Sequence, residues 1–213
     1  MTRRPVARAL AILAIAVALA GCADLLPGVG GGAAGPITAT PSAASVEPAP
    51  TPTDLVAARK AAGIADCPAS GKAAAVAGGL PDLTLDCLGG DTTVRLAALR
   101  GPMLINLWAQ WCAPCRAEAA HLSAFASTQK KVAVLGINYA DPDPALAIEF
   151  AQLTAATYPQ LADPKTALKA PLGVVGIPYT LLIDTDGRIV ARHPGQFTSL
   201  ENVQDWVQKG LGG

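Results

Sequence analysis

Two cysteines three positions apart, Cys112 and Cys115, follow directly on the apolar run Met103–Trp108. Such a run reads as a strand buried on both faces. Pro114 suits the first turn of a helix, where its missing N–H loses no hydrogen bond, so a helix is expected from Pro114 to about Ser127. The pair therefore falls at a strand-to-helix turn. Unsatisfied backbone N–H groups and the helix dipole stabilise a thiolate there, and Cys112, first and least covered, should have a depressed pKa. Cys115, one turn on, can close a disulfide back onto Cys112. A dithiol so placed exchanges disulfides through a mixed-disulfide intermediate.

Other uses of the pair are disfavoured. A structural disulfide would not need a thiolate-stabilising position. A tetrahedral zinc site needs two further ligands, and the chain has only His121 and His193. A thiol peroxidase would carry threonine three residues before its cysteine, where this chain has Ala109.

The elements needed to hold the dithiol can be read along the chain. Leu83, Leu85 and Cys87 alternate with polar residues, as do Val94 and Leu96 after Gly89-Gly90-Asp91, which signals a hairpin. Val132–Asn138 reads as a second buried strand, and a helix follows the turn Asp141-Pro142-Asp143-Pro144. Tyr179–Asp184 and Ile189–His193 read as strands joined at Asp186-Gly187, and Leu200–Val207 as a closing helix. Asp54 could cap a short helix ended by Gly63. The order describes an α/β fold with a mixed central sheet flanked by helices and preceded by a β-hairpin extension.

Of 213 residues, 51% are apolar and 15% charged, against roughly 25% charged in ordinary soluble proteins. That composition excludes a disordered protein. Lys plus Arg equals Asp plus Glu at 16 each, so no global field recruits nucleic acid. No apolar run reaches the roughly 18 residues of a spanning helix.

The first residues read as an export signal. Arg3, Arg4 and Arg8 precede twelve apolar residues, Ala9–Ala20, and then Gly21-Cys22. A cysteine directly after small residues resembles the lipobox of bacterial lipoproteins, which implies cleavage after residue 21 and acylation of Cys22. At least two acyl chains are needed for stable anchoring. Removing the three arginines leaves 13 basic and 16 acidic residues, a net charge of −3. Residues 22–53, rich in Pro, Gly and Ala, read as a tether. Residues 54–213 then form the folded domain, with a core at about 80–209.

Trp111-Cys112-Ala113-Pro114-Cys115-Arg116-Ala117-Glu118 resembles the active site of the extracytoplasmic thioredoxin-like oxidoreductases of the TlpA/ResA/DsbE type. Tyr158–Pro164 and Gly173–Asp184 match the same family in the same order. The resemblance implies a thioredoxin-like fold, with Cys112 as attacking thiol and Cys115 as resolving thiol. It also implies an acid at Glu118 near the dithiol and a cis-proline at Pro178 facing it. Asn106 stands where cytoplasmic thioredoxins carry a buried aspartate, which strengthens the place of Glu118. The chain departs from the family at Ala120, often proline, and at Lys169–Leu172, which more often includes an aromatic. The function implied is reduction of partner disulfides outside the cytoplasm, such as those of apocytochrome c, with a membrane-embedded thiol carrier supplying electrons. No organic cofactor is expected, and a lipid-anchored monomer is. An oxidant that installs disulfides is the alternative direction. A copper metallochaperone is disfavoured, because copper-delivering relatives space their cysteines by three residues rather than two.

Cys67 and Cys87 remain, twenty positions apart and outside the motif. In an exported chain this remainder reads as a structural disulfide, with an electron relay to Cys112 and Cys115 as the alternative.

Overall fold

A central strand, β3 (Met103–Trp108), is buried at all six positions. It can be so apolar because it lies inside a sheet covered on both sides. A computed structural model describes residues 49–69, 71–90 and 92–212, within the compact unit Glu47–Gly213. The signal, Cys22 and the tether up to residue 48 lie outside the described residues.

β3 pairs in parallel with β4 (Ala133–Tyr139) and antiparallel with β6 (Tyr179–Ile183). Seven strands form one sheet in the order β2-β1-β5-β4-β3-β6-β7. The remaining strands are β1 (Thr84–Cys87), β2 (Thr93–Arg95), β5 (Gln160–Asp163) and β7 (Ile189–Pro194). The fold is thioredoxin-like and α/β, and the hairpin β1–β2 forms one end of the sheet. It is held there by β5, a strand that periodicity did not reveal. Four residues, Gln-Leu-Ala-Asp, are too few to display a period. β5 pairs with β1 through Asp86 opposite Ala162 and Cys87 opposite Leu161.

Side chains alternate across the sheet. Leu104, Val134 and Leu182 meet Leu122 and Phe125 of helix α2 (Ala113–Thr128) and Val203 and Val207 of helix α5 (Leu200–Leu211). Ile105, Leu107, Leu135 and Leu181 face the opposite core, which includes Leu85 and Val94 of the hairpin. A third cluster gathers at the dithiol. There Trp108, Cys112 and Cys115 pack with Ile148 and Phe150 of helix α3 (Pro144–Leu153).

Helix α1 (Pro52–Ala61) starts two residues before the expected cap. Thr51 is the N-cap and Asp54 the third helical residue: Thr51 N–H donates to Asp54 at 2.9 Å, and Asp54 N–H donates to Thr51 Oγ1 at 3.3 Å. Pro52 tolerates the first turn because its missing N–H would be unsatisfied there anyway. The hydrogen bonds from Thr51 hold the Asp54 carboxyl below its ordinary pKa. The helix α4 (Lys169–Leu172), four residues long, is too short to show a period in the sequence.

Gly136 has no room for a side chain in this packing. A Cβ on Gly136 would run into the side-chain amide of Gln160, whose Oε1 accepts a hydrogen bond from Trp108 Nε1 at 2.9 Å. Gly136→Ala should therefore destabilise the domain by about 1–3 kcal/mol through overpacking and shift Trp108 fluorescence. A urea midpoint and emission maximum equal to wild type would show that Gln160 can move away freely.

Candidate active site

The strand-to-helix turn is fixed by side chains on both sides. Cys112 is the N-cap of α2, and the helix begins at Ala113, one residue before the expected start. Asp141 is buried; it accepts Gln110 N–H at 3.1 Å and the Asn138 amide at 3.0 Å, so the loop after β4 grips the turn. Trp111 Nε1 donates to the Ala140 carbonyl at 3.2 Å while the ring stays 54% exposed. Sequence reading assigned Asp141 to a turn only. Its role as a brace depends on β4 lying beside β3, which no local pattern records.

Cys112 and Cys115 are joined by a disulfide with a Cα–Cα separation of 5.3 Å. They are 4% and 2% exposed, so Cys112 keeps only slightly the greater access in this oxidised state. Cys115 N–H donates to Cys112 Sγ at 3.2 Å. The same hydrogen bond would stabilise a Cys112 thiolate, together with the helix N-terminus. Cys112 Sγ lies 3.6 Å from the carbonyl oxygen of Ile177. The Ile177–Pro178 peptide is cis, as is Gly101–Pro102, which the sequence reading did not single out. Pro178 is buried, while Val175 and Gly176 before it are exposed, Val175 at 92%. The dithiol is thus bordered by an open backbone segment and by Trp111.

Glu118 lies one turn beyond Cys115 and is 1% exposed. Its two oxygens accept from Asn106 Nδ2 and from Phe197 N–H, both at 2.9 Å. Asn106 also donates to Thr180 Oγ1 at 3.0 Å. Burial pushes the Glu118 carboxyl from 4.5 up to about 7, against the lowering pull of the hydrogen bonds from Phe197 and Asn106. This is the range for moving a proton at neutral pH. Phe197 is a partner that sequence could not supply, because it lies 79 residues away. A small cavity behind Cys115 is lined by Asn106, Trp108, Ala119, Phe150 and Tyr158. Burial raises the Tyr158 phenol pKa, a hydrogen bond from Gln160 opposes this, and the Glu118 charge adds to the rise.

Cys67 and Cys87 form the second disulfide, at a Cα–Cα separation of 6.0 Å. It is remote in sequence from the first and lies where β1 meets β5.

Fold and site together define a thioredoxin-like thiol–disulfide oxidoreductase. Residues 76–192 match the AhpC/TSA family, and the chain belongs to that family. It is 36% identical over 122 residues to the thiol:disulfide interchange protein HelX of Rhodobacter capsulatus, covering 55% of this chain and 67% of HelX. It is 37% identical over 116 residues to the thiol:disulfide interchange protein DsbE of Pseudomonas fluorescens biotype C, covering 54% of this chain and 64% of DsbE. The match thus spans less than two thirds of that relative. Among solved structures, a secreted thiol-disulfide isomerase of Corynebacterium glutamicum superposes with a TM-score of 0.55 at 29% identity, covering 63% of this chain and 86% of that one.

Proposed function

We propose that the chain is an extracytoplasmic, lipid-anchored reductant of partner disulfides, working through Cys112 and Cys115. The observation that carries the reading is the position of Cys112 Sγ, which accepts Cys115 N–H at the start of α2 and faces the Ile177 carbonyl across 3.6 Å. In the reduced protein Cys112 thiolate attacks one sulfur of a partner disulfide, and the other leaves as a thiolate that takes up a proton. Cys115 then loses its proton and attacks Cys112 Sγ. The partner departs as a dithiol, and the two electrons it gained leave this chain as the Cys112–Cys115 disulfide. Glu118, buried and poised near neutrality, is the group that takes the Cys115 proton. The exposed backbone at Val175–Gly176 receives the partner chain by strand addition.

Apocytochrome c is the partner class that the resemblance to extracytoplasmic thioredoxin-like oxidoreductases implies, and a membrane thiol carrier would regenerate the dithiol. The deciding experiment is the equilibrium of Cys112–Cys115 with a glutathione or dithiothreitol buffer. A potential near that of thioredoxin, about −270 mV, supports a reductant, whereas one near about −120 mV assigns the oxidising direction instead.

The domain assignment belongs to the same proposal: a signal at 1–21, a tether at 22–53 and a folded domain at 54–213. Among the described residues no helix is long and apolar enough to cross a membrane. Attachment is assigned to an acylated Cys22. Cys22→Ala should block acylation, so that the protein either leaves the membrane fraction without its lipid or keeps its signal, and its mass changes in either case. Unchanged mass and fractionation would remove the anchor from the proposal.

A further inference from the structure

The Cys67–Cys87 disulfide has a cation against it. Arg59, in the last turn of α1, is fully buried. Its Nη1 donates to Cys87 Sγ and lies 4.0 Å from Cys67 Sγ. Its Nη2 is 3.2 Å from Asp66, whose side chain is largely in solvent. The two cysteines differ in burial. Cys87 is buried at the end of β1, whereas Cys67 is partly exposed between Asp66 and Pro68, both of which line an open groove. Cys67 Sγ also sits 3.2 Å from the Gln160 carbonyl oxygen.

We propose that Cys67–Cys87 is a second thiol–disulfide exchange site, opened by a low-molecular-weight thiol that attacks Cys67 and expels Cys87 as a thiolate held by Arg59. The Arg59 guanidinium, ion-paired with Asp66, also lies against Cys87 Sγ, where a cation would stabilise a departing thiolate. Burial alone would raise the pKa of Cys87 and make it a poor leaving group, and an adjacent cation reverses that. The carbonyl beside Cys67 disfavours negative charge there, so the electron pair goes to Cys87. The less buried cysteine and the stabilised leaving group are thus different residues, as exchange requires.

The first thiolate forms a bond to Cys67 Sγ as the Cys67–Cys87 bond breaks, and the electron pair remains on Cys87 beside Arg59. A second thiolate attacks the incoming sulfur and releases Cys67, which takes up a proton. Two thiols become one disulfide, the protein gains two electrons, and the second thiol proton goes to solvent. The site does not depend on the role proposed for Cys112 and Cys115.

The test uses the full chain carrying Cys112→Ser and Cys115→Ser, so that failure here is separate from failure at the first site. The native protein is incubated with glutathione at neutral pH, quenched with acid, alkylated and mapped by peptide mass spectrometry. Opening without denaturant is expected, with the glutathione adduct on Cys67. Arg59→Met should slow opening by about tenfold or more, and Arg59→Lys should restore it to within about threefold, because a cation beside the leaving sulfur sets its departure. An adduct on Cys87, opening only in denaturant, or an unchanged rate in a folded Arg59→Met protein would overturn the proposal. Should Arg59→Met not fold, thiolate absorbance of the reduced chain with Arg59 intact decides. One thiol ionising below the ordinary range supports the site, and none doing so overturns it.

Discussion

Cys112→Ser is expected to reduce turnover of a protein disulfide such as insulin to background, a loss of about a thousandfold or more, because a hydroxyl cannot replace a thiolate as attacking group. Cys115 should not substitute for it. It is 2% exposed and lies behind Cys112 in the third cluster of the core. Cys115→Ser should behave differently. Cys112 would still attack, but nothing would resolve the product, so mixed disulfides with partners should accumulate on non-reducing gels. Both proteins should fold, since serine occupies the same space and the helix N-cap role of residue 112 suits serine at least as well. Turnover by Cys112→Ser above that of the double replacement would mean that the attacking sulfur has been misassigned.

The second large effect concerns Glu118 and pH. Its carboxyl is raised in the folded state from 4.5 to about 7. The folded protein therefore binds more protons than the unfolded chain between those values. Stability contributed by the protonated form is complete below about pH 4.5 and is lost as pH rises through about 7. The size is about 3 kcal/mol at most, from 1.36 kcal/mol per pKa unit. Glu118→Gln removes the titration. Relative to wild type, it should gain stability on going from pH 5 to pH 8, by about 1–3 kcal/mol. Part of the gain will be offset at all pH values, because Asn106 and Phe197 both present donors to this side chain and an amide offers only one acceptor oxygen. Urea midpoints at the two pH values measure the difference. Parallel pH dependences in the two proteins would contradict a raised Glu118. The same replacement should erase any inflection near neutrality in the rate at which Cys115 resolves a mixed disulfide.

The residues of the first site were legible because they are local. Cys112, Pro114, Cys115 and Glu118 fall within one stretch of chain, and the buried run before them sets strand and helix in order. The resemblance to thioredoxin-like oxidoreductases added Pro178, and the structure places the cis Ile177–Pro178 peptide beside Cys112. What was not legible is long-range. β5 is too short to announce itself, yet Gln160 on it contacts both Trp108 and Cys67. Phe197 reaches Glu118 from the far side of β7. Arg59 is 28 residues from Cys87, and in sequence it is one of two basic residues, with Lys60, in the last turn of a short helix. Its burial follows from α1 lying against the site cluster through Leu55, and no pattern in α1 itself foretells that.

The open ends of the sheet bear on how many copies can share one surface. A sheet that does not close on itself presents backbone N–H and C=O groups at each edge, and these template pairing with another molecule. Here β2 is only three residues long and carries Arg95, bonded to Asp82 at 2.6 Å. β7 includes Arg192 and His193 and terminates at Pro194, which has no N–H to donate. Short length, charge and proline are features that discourage edge-to-edge growth. Were copies tethered to one membrane, as proposed, they would meet far more often than copies free in bulk, and edges blunted in this way would let them crowd without stacking into fibrils.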